Sequence, residues 1–182
     1  MNLRLFALKI YIPALIKKKK LEELFTLVAD AFGEAGPPLR GLSYKERLNA
    51  FAKFTMRQVE KHSQKGQNLE GTKRRLFENS YRLGQKVRND FNIRNTKEII
   101  QISRILYQIL GIEFKGTLSG DITIKKCFFS SYYSSQVCQV ISSLDEGVAA
   151  GLSEGGKLSF YQRITEGKEC CKAHFTVSEG KT

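Results

Sequence analysis

The sequence predicts an α+β fold in which N-terminal helices lead into a small antiparallel sheet packed against a helix. Up to Gly111, apolar side chains recur at the three- and four-residue spacing of helices. After Gly111 the chain reads as a strand, a helix and two strands, an order typical of α+β proteins. With 182 residues, of which 41% are hydrophobic and 26% charged, the composition is globular. We therefore expect residues 1–182 to form a single domain.

About four helices are expected in the N-terminal part. An amphipathic segment opens the chain, is interrupted near Pro13 and continues through residues 21–34. Ser43 and Glu46 have the spacing of a capping box, which predicts the start of the second helix. The third helix is expected at about 71–91. The fourth opens at Asn95 or Thr96 and runs to Gly111, a residue type that ends helices.

The C-terminal part is expected to contain three strands and one helix. β-branched and aromatic residues predict strands at 120–130 and 157–165, and a third at 170–177 after the turn EGKE. Residues 133–152 return to helical spacing. Side chains alternate faces along a strand. Cys171, Ala173, Phe175 and Val177 should therefore face the core, with Cys170, Lys172, His174 and Thr176 on the other face.

Charge is divided unevenly along the chain. Residues 1–116 hold 23 basic and 11 acidic residues, whereas residues 117–182 hold 7 of each, so the net charge of +12 belongs to the helical part. This excess of basic residues leaves open the hypothesis that the protein associates with nucleic acid. The basic residues are not interleaved with aromatic ones as in single-strand binders, so we do not expect a nucleic-acid partner.

One edge of the helix at 133–152 carries chemically useful side chains. Cys138, Ser142, Asp145 and Ala149 are spaced by four, three and four residues, so they form a stripe beside the apolar face. Asp145 could be a partly exposed carboxylate bonded to a neighbouring strand. It could instead line a pocket, where burial would raise its pKa and suit it to proton transfer.

The four cysteines, at 127, 138, 170 and 171, all lie in the neutral part. Their thiols are compatible with structural zinc, a disulfide, burial as small hydrophobic groups, or a pocket pairing a thiolate with a carboxylate. Cys170 and His174 are too far apart on an extended strand to bind one ion without a bend.

No cofactor and no metal are expected, because the sequence lacks GxxxxGK[ST], GxGxxG and HExxH. No apolar run is long enough to span a membrane. The N-terminal apolar run is broken by Arg4 and Lys9 and has no cleavage site, so we expect no signal peptide and a cytoplasmic location. A small-molecule ligand is the expected partner, and a homo-oligomer is left open.

The C-terminal third resembles the L-2-amino-thiazoline-4-carboxylic acid hydrolase family. The resemblance rests on Cys127 in a strand, LDEGVAAGL at 144–152, and KLSFYQRITEGKECCKAHF at 157–175. In that family a Cys-bearing strand leads to a helix with an acidic residue, then a strand, a glycine turn and a Cys-containing strand. Asp145 matches the acidic position and Cys171 the thiol after the turn. Ser142 stands where the family pattern has a cysteine.

The resemblance implies hydrolytic opening of a cyclic, amidine-like C–N bond in a thiazoline carboxylate, with a carbamoyl-cysteine product. Asp145 would be the base, or Cys171 or Cys127 the nucleophile. Arg163 would bind the substrate carboxylate. Three further substrate-binding residues are expected: Cys138, Ser142 and Tyr161.

A similar glycine-turn-cysteine ending occurs in vinyl reductase-type ligand-binding domains, which need not catalyse a reaction. The sequence therefore leaves two functions open, a hydrolase and a non-enzymatic module that binds small ligands.

Overall fold

A computed structural model describes residues 12–66 and 68–177, and it has the predicted α+β architecture. Five helices and a four-stranded antiparallel sheet make up this part of the chain. No helix within these residues is long and apolar enough to cross a membrane. The helices are α1 (Ala14–Phe32), α2 (Tyr44–Gln64), α3 (Leu69–Phe91), α4 (Thr96–Ile109) and α5 (Ser135–Ser153), and the strands are β1 (Ile112–Gly116), β2 (Asp121–Cys127), β3 (Lys157–Gln162) and β4 (Cys171–Thr176).

The helix starts follow local sequence signals. Ser43 and Glu46 form the predicted capping box, in which each side chain bonds the other residue's backbone N–H. Asn95 caps α4 by accepting from the backbone N–H of Glu98. The first described helix begins directly after Pro13 and runs without a break to Phe32. The part of the expected first helix that precedes Pro13 lies largely outside the described residues.

Two strand predictions need correction. The segment 112–116, for which no strand was expected, forms strand β1. Its Phe114 side chain is buried against α4, whereas the neighbouring side chains stay partly or fully exposed. The strand expected at 157–165 ends at Gln162, just after a bulge that shifts its pairing with β4 between Phe160 and Gln162, and residues 164–166 form a 3₁₀ turn.

The other strands keep their predicted places with shorter ends. The strand expected at 120–130 ends at Cys127, after which residues 128–131 form a 3₁₀ turn. On β4, Cys171, Ala173 and Phe175 are buried as predicted, but Val177 lies beyond the strand and is exposed.

The sheet has the order β1-β2-β4-β3, so β4 lies between β2 and β3. Helix α5 connects β2 to β3 and covers the sheet on the same side as α4. Two apolar clusters result: α1, α2 and the first half of α5 enclose one, and α4, the sheet and the second half of α5 enclose the other. Helix α5 contributes to both.

Glycines allow the backbones of helices α3 and α5 to pack in direct contact. A Cβ atom on Gly151 would lie 2.8 Å from the Gln85 nitrogen and 3.0 Å from the Gly84 Cα. A Cβ on Gly147 would collide with Phe77 and Ser80 of α3. The close approach fixes the rotation of α5 about its axis, so the opposite stripe of α5 faces away from α3.

We expect Gly151→Ala to lower the free energy of unfolding by about 1–3 kcal/mol, because the new methyl group has only backbone to push against. Gly71→Ala on α3 is the matched control. Its Cβ would meet nothing nearer than a flexible arginine tip at 3.8 Å, so it should be neutral or slightly stabilising. Urea unfolding measures both; equal effects of the two substitutions would contradict the packing described.

Candidate functional site

A cavity of about 170 Å³ lies between α1, α3, α4, α5 and the sheet. Its walls are mostly apolar and come from both core clusters, with residues such as Val87, Ile109, Ile122 and Leu144. Cavities of this kind, with few polar groups, are typical sites for small molecules.

The stripe predicted on α5 lines this cavity. Cys138, Ser142, Asp145 and Ala149 all contribute to the wall. The start of α5 is held by Ser134, whose hydroxyl accepts from the backbone N–H of Val137. The Ser142 hydroxyl donates to the Cys138 carbonyl at 2.7 Å, so its hydrogen is used within the helix. Of the four residues in the stripe, Asp145 therefore presents the most polar side chain to the cavity.

Asp145 is surrounded by protein. Part of its surface is nevertheless accessible, because the side chain borders the cavity. Among the described residues, no lysine or arginine forms an ion pair with it. Burial raises the pKa of Asp145 to about 7, a hydrogen-bonding interaction with Tyr107 lowers it, the charge of Glu146 raises it, and the charge of Arg163 lowers it. The carboxyl group can therefore both lose and regain a proton near neutral pH.

Tyr107 is the polar partner of Asp145 that sequence reasoning missed. It comes from α4, lines the cavity and stacks on Phe114 with ring centres 4.8 Å apart. Burial raises the pKa of the Tyr107 phenol well above its usual value, and the nearby Asp145 charge adds to this. The phenol therefore stays protonated and can act as a hydrogen-bond donor to the carboxylate. Tyr107 lies in the apolar run ILYQIL, which gives no sign of this role.

Two thiols border the cavity. Cys127, at the end of β2, and Cys138 line its wall. Burial raises the pKa of Cys127 to about 12 and also raises the pKa of Cys138. Both are thiols rather than thiolates at neutral pH, which makes them weak nucleophiles.

The other two cysteines lie elsewhere. The buried Cys171 is not among the described cavity-lining residues, and its sulfur accepts the backbone N–H of Ile164 at 3.3 Å. The sulfur of Cys170 accepts from the Gln162 side chain at 3.5 Å. All four cysteines are free. Within residues 12–66 and 68–177, no cluster of His, Cys, Asp and Glu could hold a metal ion.

Arg163 and Tyr161 lie outside the cavity wall as described. The Arg163 guanidinium lies 5.1 Å from the centre of the Phe160 ring and 3.9 Å from a Glu166 oxygen. Its charge nevertheless lowers the pKa of Asp145 and of Cys138. Tyr161 is 65% exposed. The structure thus brings Asp145, Cys127, Cys138 and Ser142 to one cavity and leaves the other three predicted site residues beside or away from it.

We expect Asp145→Asn to gain stability relative to the wild type as pH rises from about 4 to 8. The folded protein holds the Asp145 proton up to pH of about 7, whereas the unfolded chain loses it near 4, so wild-type stability falls across this window. The relative change should be on the order of 2–4 kcal/mol in urea unfolding.

Asp121→Asn is the matched control. The pKa of Asp121 is lowered by hydrogen bonds from Ser119 and His174, so its contribution is lost as pH falls and the substitution should show the opposite sign. Parallel pH profiles for wild type and Asp145→Asn would show that Asp145 is not a buried carboxyl group.

The comparisons with family models and with curated proteins found no match for the chain. The resemblance to the thiazoline hydrolases therefore stays a prediction from the sequence.

Proposed function

We propose that the protein binds a small cyclic amidine in the Asp145 cavity and hydrolyses one of its C–N bonds, as for a 2-amino-thiazoline-4-carboxylate. The observation that carries this proposal is a carboxyl group without an ion-pair partner among the described residues in a ligand-sized, mostly apolar cavity, where burial raises its pKa to about 7.

Asp145 favours a ligand that carries N–H donors. An amidine presents two N–H groups in a plane and is positively charged when protonated, so it can bind both oxygens of a carboxylate. Such a ligand would supply the positive charge that the cavity lacks around Asp145. The ring would lie against the apolar wall. Tyr107 would hold the carboxylate in place through its hydroxyl group.

The reaction needs one group that accepts a proton and then returns it. Water adds to the amidine carbon while the Asp145 carboxylate takes one of its protons. The ring C–N bond then breaks, and the leaving nitrogen takes the proton back from Asp145. The adduct's hydroxyl proton is released as the carbamoyl C=O forms and ends on the freed amine, which carries the positive charge of the original amidinium. One water is consumed, a carbamoyl group forms, and Asp145 ends as it began. A pKa near the working pH suits both halves of this cycle.

The alternative with a thiolate nucleophile has less support. Burial raises the pKa of Cys127, Cys138 and Cys171, so little thiolate is present at neutral pH. Cys127 and Cys138 are therefore proposed as parts of the cavity wall that contact the ligand, and Asp145 as the base.

A non-enzymatic ligand-binding module is the second candidate. The apolar character of the wall favours it, because a largely hydrophobic ligand could fill the cavity with Asp145 and Tyr107 as its polar contacts. For either function, the free thiols support a cytoplasmic location, where cysteines stay reduced.

The hydrolase proposal predicts that Asp145→Asn lowers kcat for 2-amino-thiazoline-4-carboxylate by at least about 100-fold, because the amide cannot accept a proton. Product is measured by mass spectrometry as the substrate plus one water. Asp121→Asn, on the exposed side of the sheet, should keep wild-type turnover.

Undiminished turnover by Asp145→Asn would exclude Asp145 as the base. If the wild type opens no thiazoline but retains a small molecule in native mass spectrometry, the binding module is the better account.

A further inference from the structure

A group of charged side chains lies at the α1 end of the cavity. Lys20 and Glu23 line the cavity there, and each keeps somewhat over a quarter of its side chain exposed. The Lys20 ammonium lies 2.8 Å from one Glu23 oxygen, and the ammonium of Lys86, from α3, lies 2.8 Å from the other. At this group of residues, the apolar cavity comes close to the protein surface.

The charges of this group do not cancel. Two ammonium groups share the single carboxylate of Glu23, which leaves an excess positive charge. Partial burial raises the pKa of Glu23, but Lys20 and Lys86 lower it below its ordinary value, so Glu23 is a carboxylate at neutral pH. The Lys20 ammonium has three donors and gives one to Glu23, so it can bind a further acceptor.

The two ends of the cavity therefore differ in charge. Asp145 and Tyr107 lie on the α4–α5 side, where an anionic ligand group would be repelled by the carboxylate. Lys20 is the one lysine or arginine among the described residues that line the cavity. A ligand with a negative group is thus favoured in one orientation, with that group at α1.

From this placement we infer that Lys20 binds the carboxylate of the ligand, and that the cavity selects small monocarboxylates whose remaining part extends from α1 along the apolar wall towards Asp145. The inference rests on the proposed binding of a small molecule in this cavity. It assigns to Lys20 the role that the sequence resemblance gives to Arg163, whose guanidinium lies over Phe160 and beside Glu166.

Binding of octanoate and of 1-octanol tests the inference by isothermal titration calorimetry, because the two probes differ in the carboxylate and share the apolar chain. Lys20→Met should weaken octanoate binding about tenfold and leave 1-octanol binding unchanged. Lys19→Met is the matched control: it removes the same charge from the exposed side of α1 and should change neither affinity by more than about twofold.

Glu23→Gln provides a second variant with the opposite sign. It removes the carboxylate that competes for Lys20, so octanoate binding should tighten about threefold or more. The inference is overturned if the wild type shows no saturable octanoate binding, if Lys20→Met and Lys19→Met behave alike, or if Glu23→Gln weakens binding.

These outcomes are separate from the hydrolase proposal. A wild type that opens no thiazoline but shows the expected octanoate pattern refutes the reaction and supports Lys20. Turnover of 2-amino-thiazoline-4-carboxylate with an unchanged KM in Lys20→Met would support the reaction and overturn the role of Lys20.

Discussion

Helix α5 packs against α3 on one side and lines the cavity on the other, and the rest of the site depends on this constraint. On one side Gly147 and Gly151 bring its backbone against α3, where no side chain would fit. That contact sets the rotation of the helix, so Cys138 and Asp145 face the cavity and not α3. A helix that could roll about its axis would not hold a carboxyl group inside an apolar wall.

Burial of Asp145 is costly, because its charged form loses water without gaining an ion pair among the described residues. The fold limits this cost in two ways: the nearby Tyr107 hydroxyl lowers the pKa of the carboxyl group, and the proton can stay on up to near-neutral pH. A polar group that borders a cavity and is buried at such a cost in free energy is characteristic of sites that bind ligands or move protons. Lys20 and Glu23 give the other end of the same cavity its own charge.

Local signals in the sequence predicted most of the fold and the stripe of residues on α5 that lines the cavity. The capping box at Ser43 and the buried face of β4 depend on spacing along one element, and both are confirmed except at Val177. The stripe containing Asp145 depends on such spacing too, and it lines the cavity. The short strand β1 was missed because five residues with one buried side chain carry little periodicity.

Contacts between distant elements could not be predicted in this way. Tyr107 and Lys20 reach the cavity from α4 and α1, and neither sits in a motif. Arg163 was expected to bind the substrate carboxylate from the strand at 157–165, but a bulge follows Phe160 and the strand ends at Gln162, before Arg163. These placements follow from how helices pack and how pairing is interrupted, which a single sequence does not specify.

The ionisation of Asp145 inside the folded protein is the central claim, and carbon-13 NMR of aspartate side chains measures it directly. The Asp145 signal is assigned by its absence in Asp145→Asn and followed from pH 3 to 9. The account predicts a midpoint near pH 7. A midpoint near the ordinary value of about 4 would place the carboxyl group in water and contradict the account.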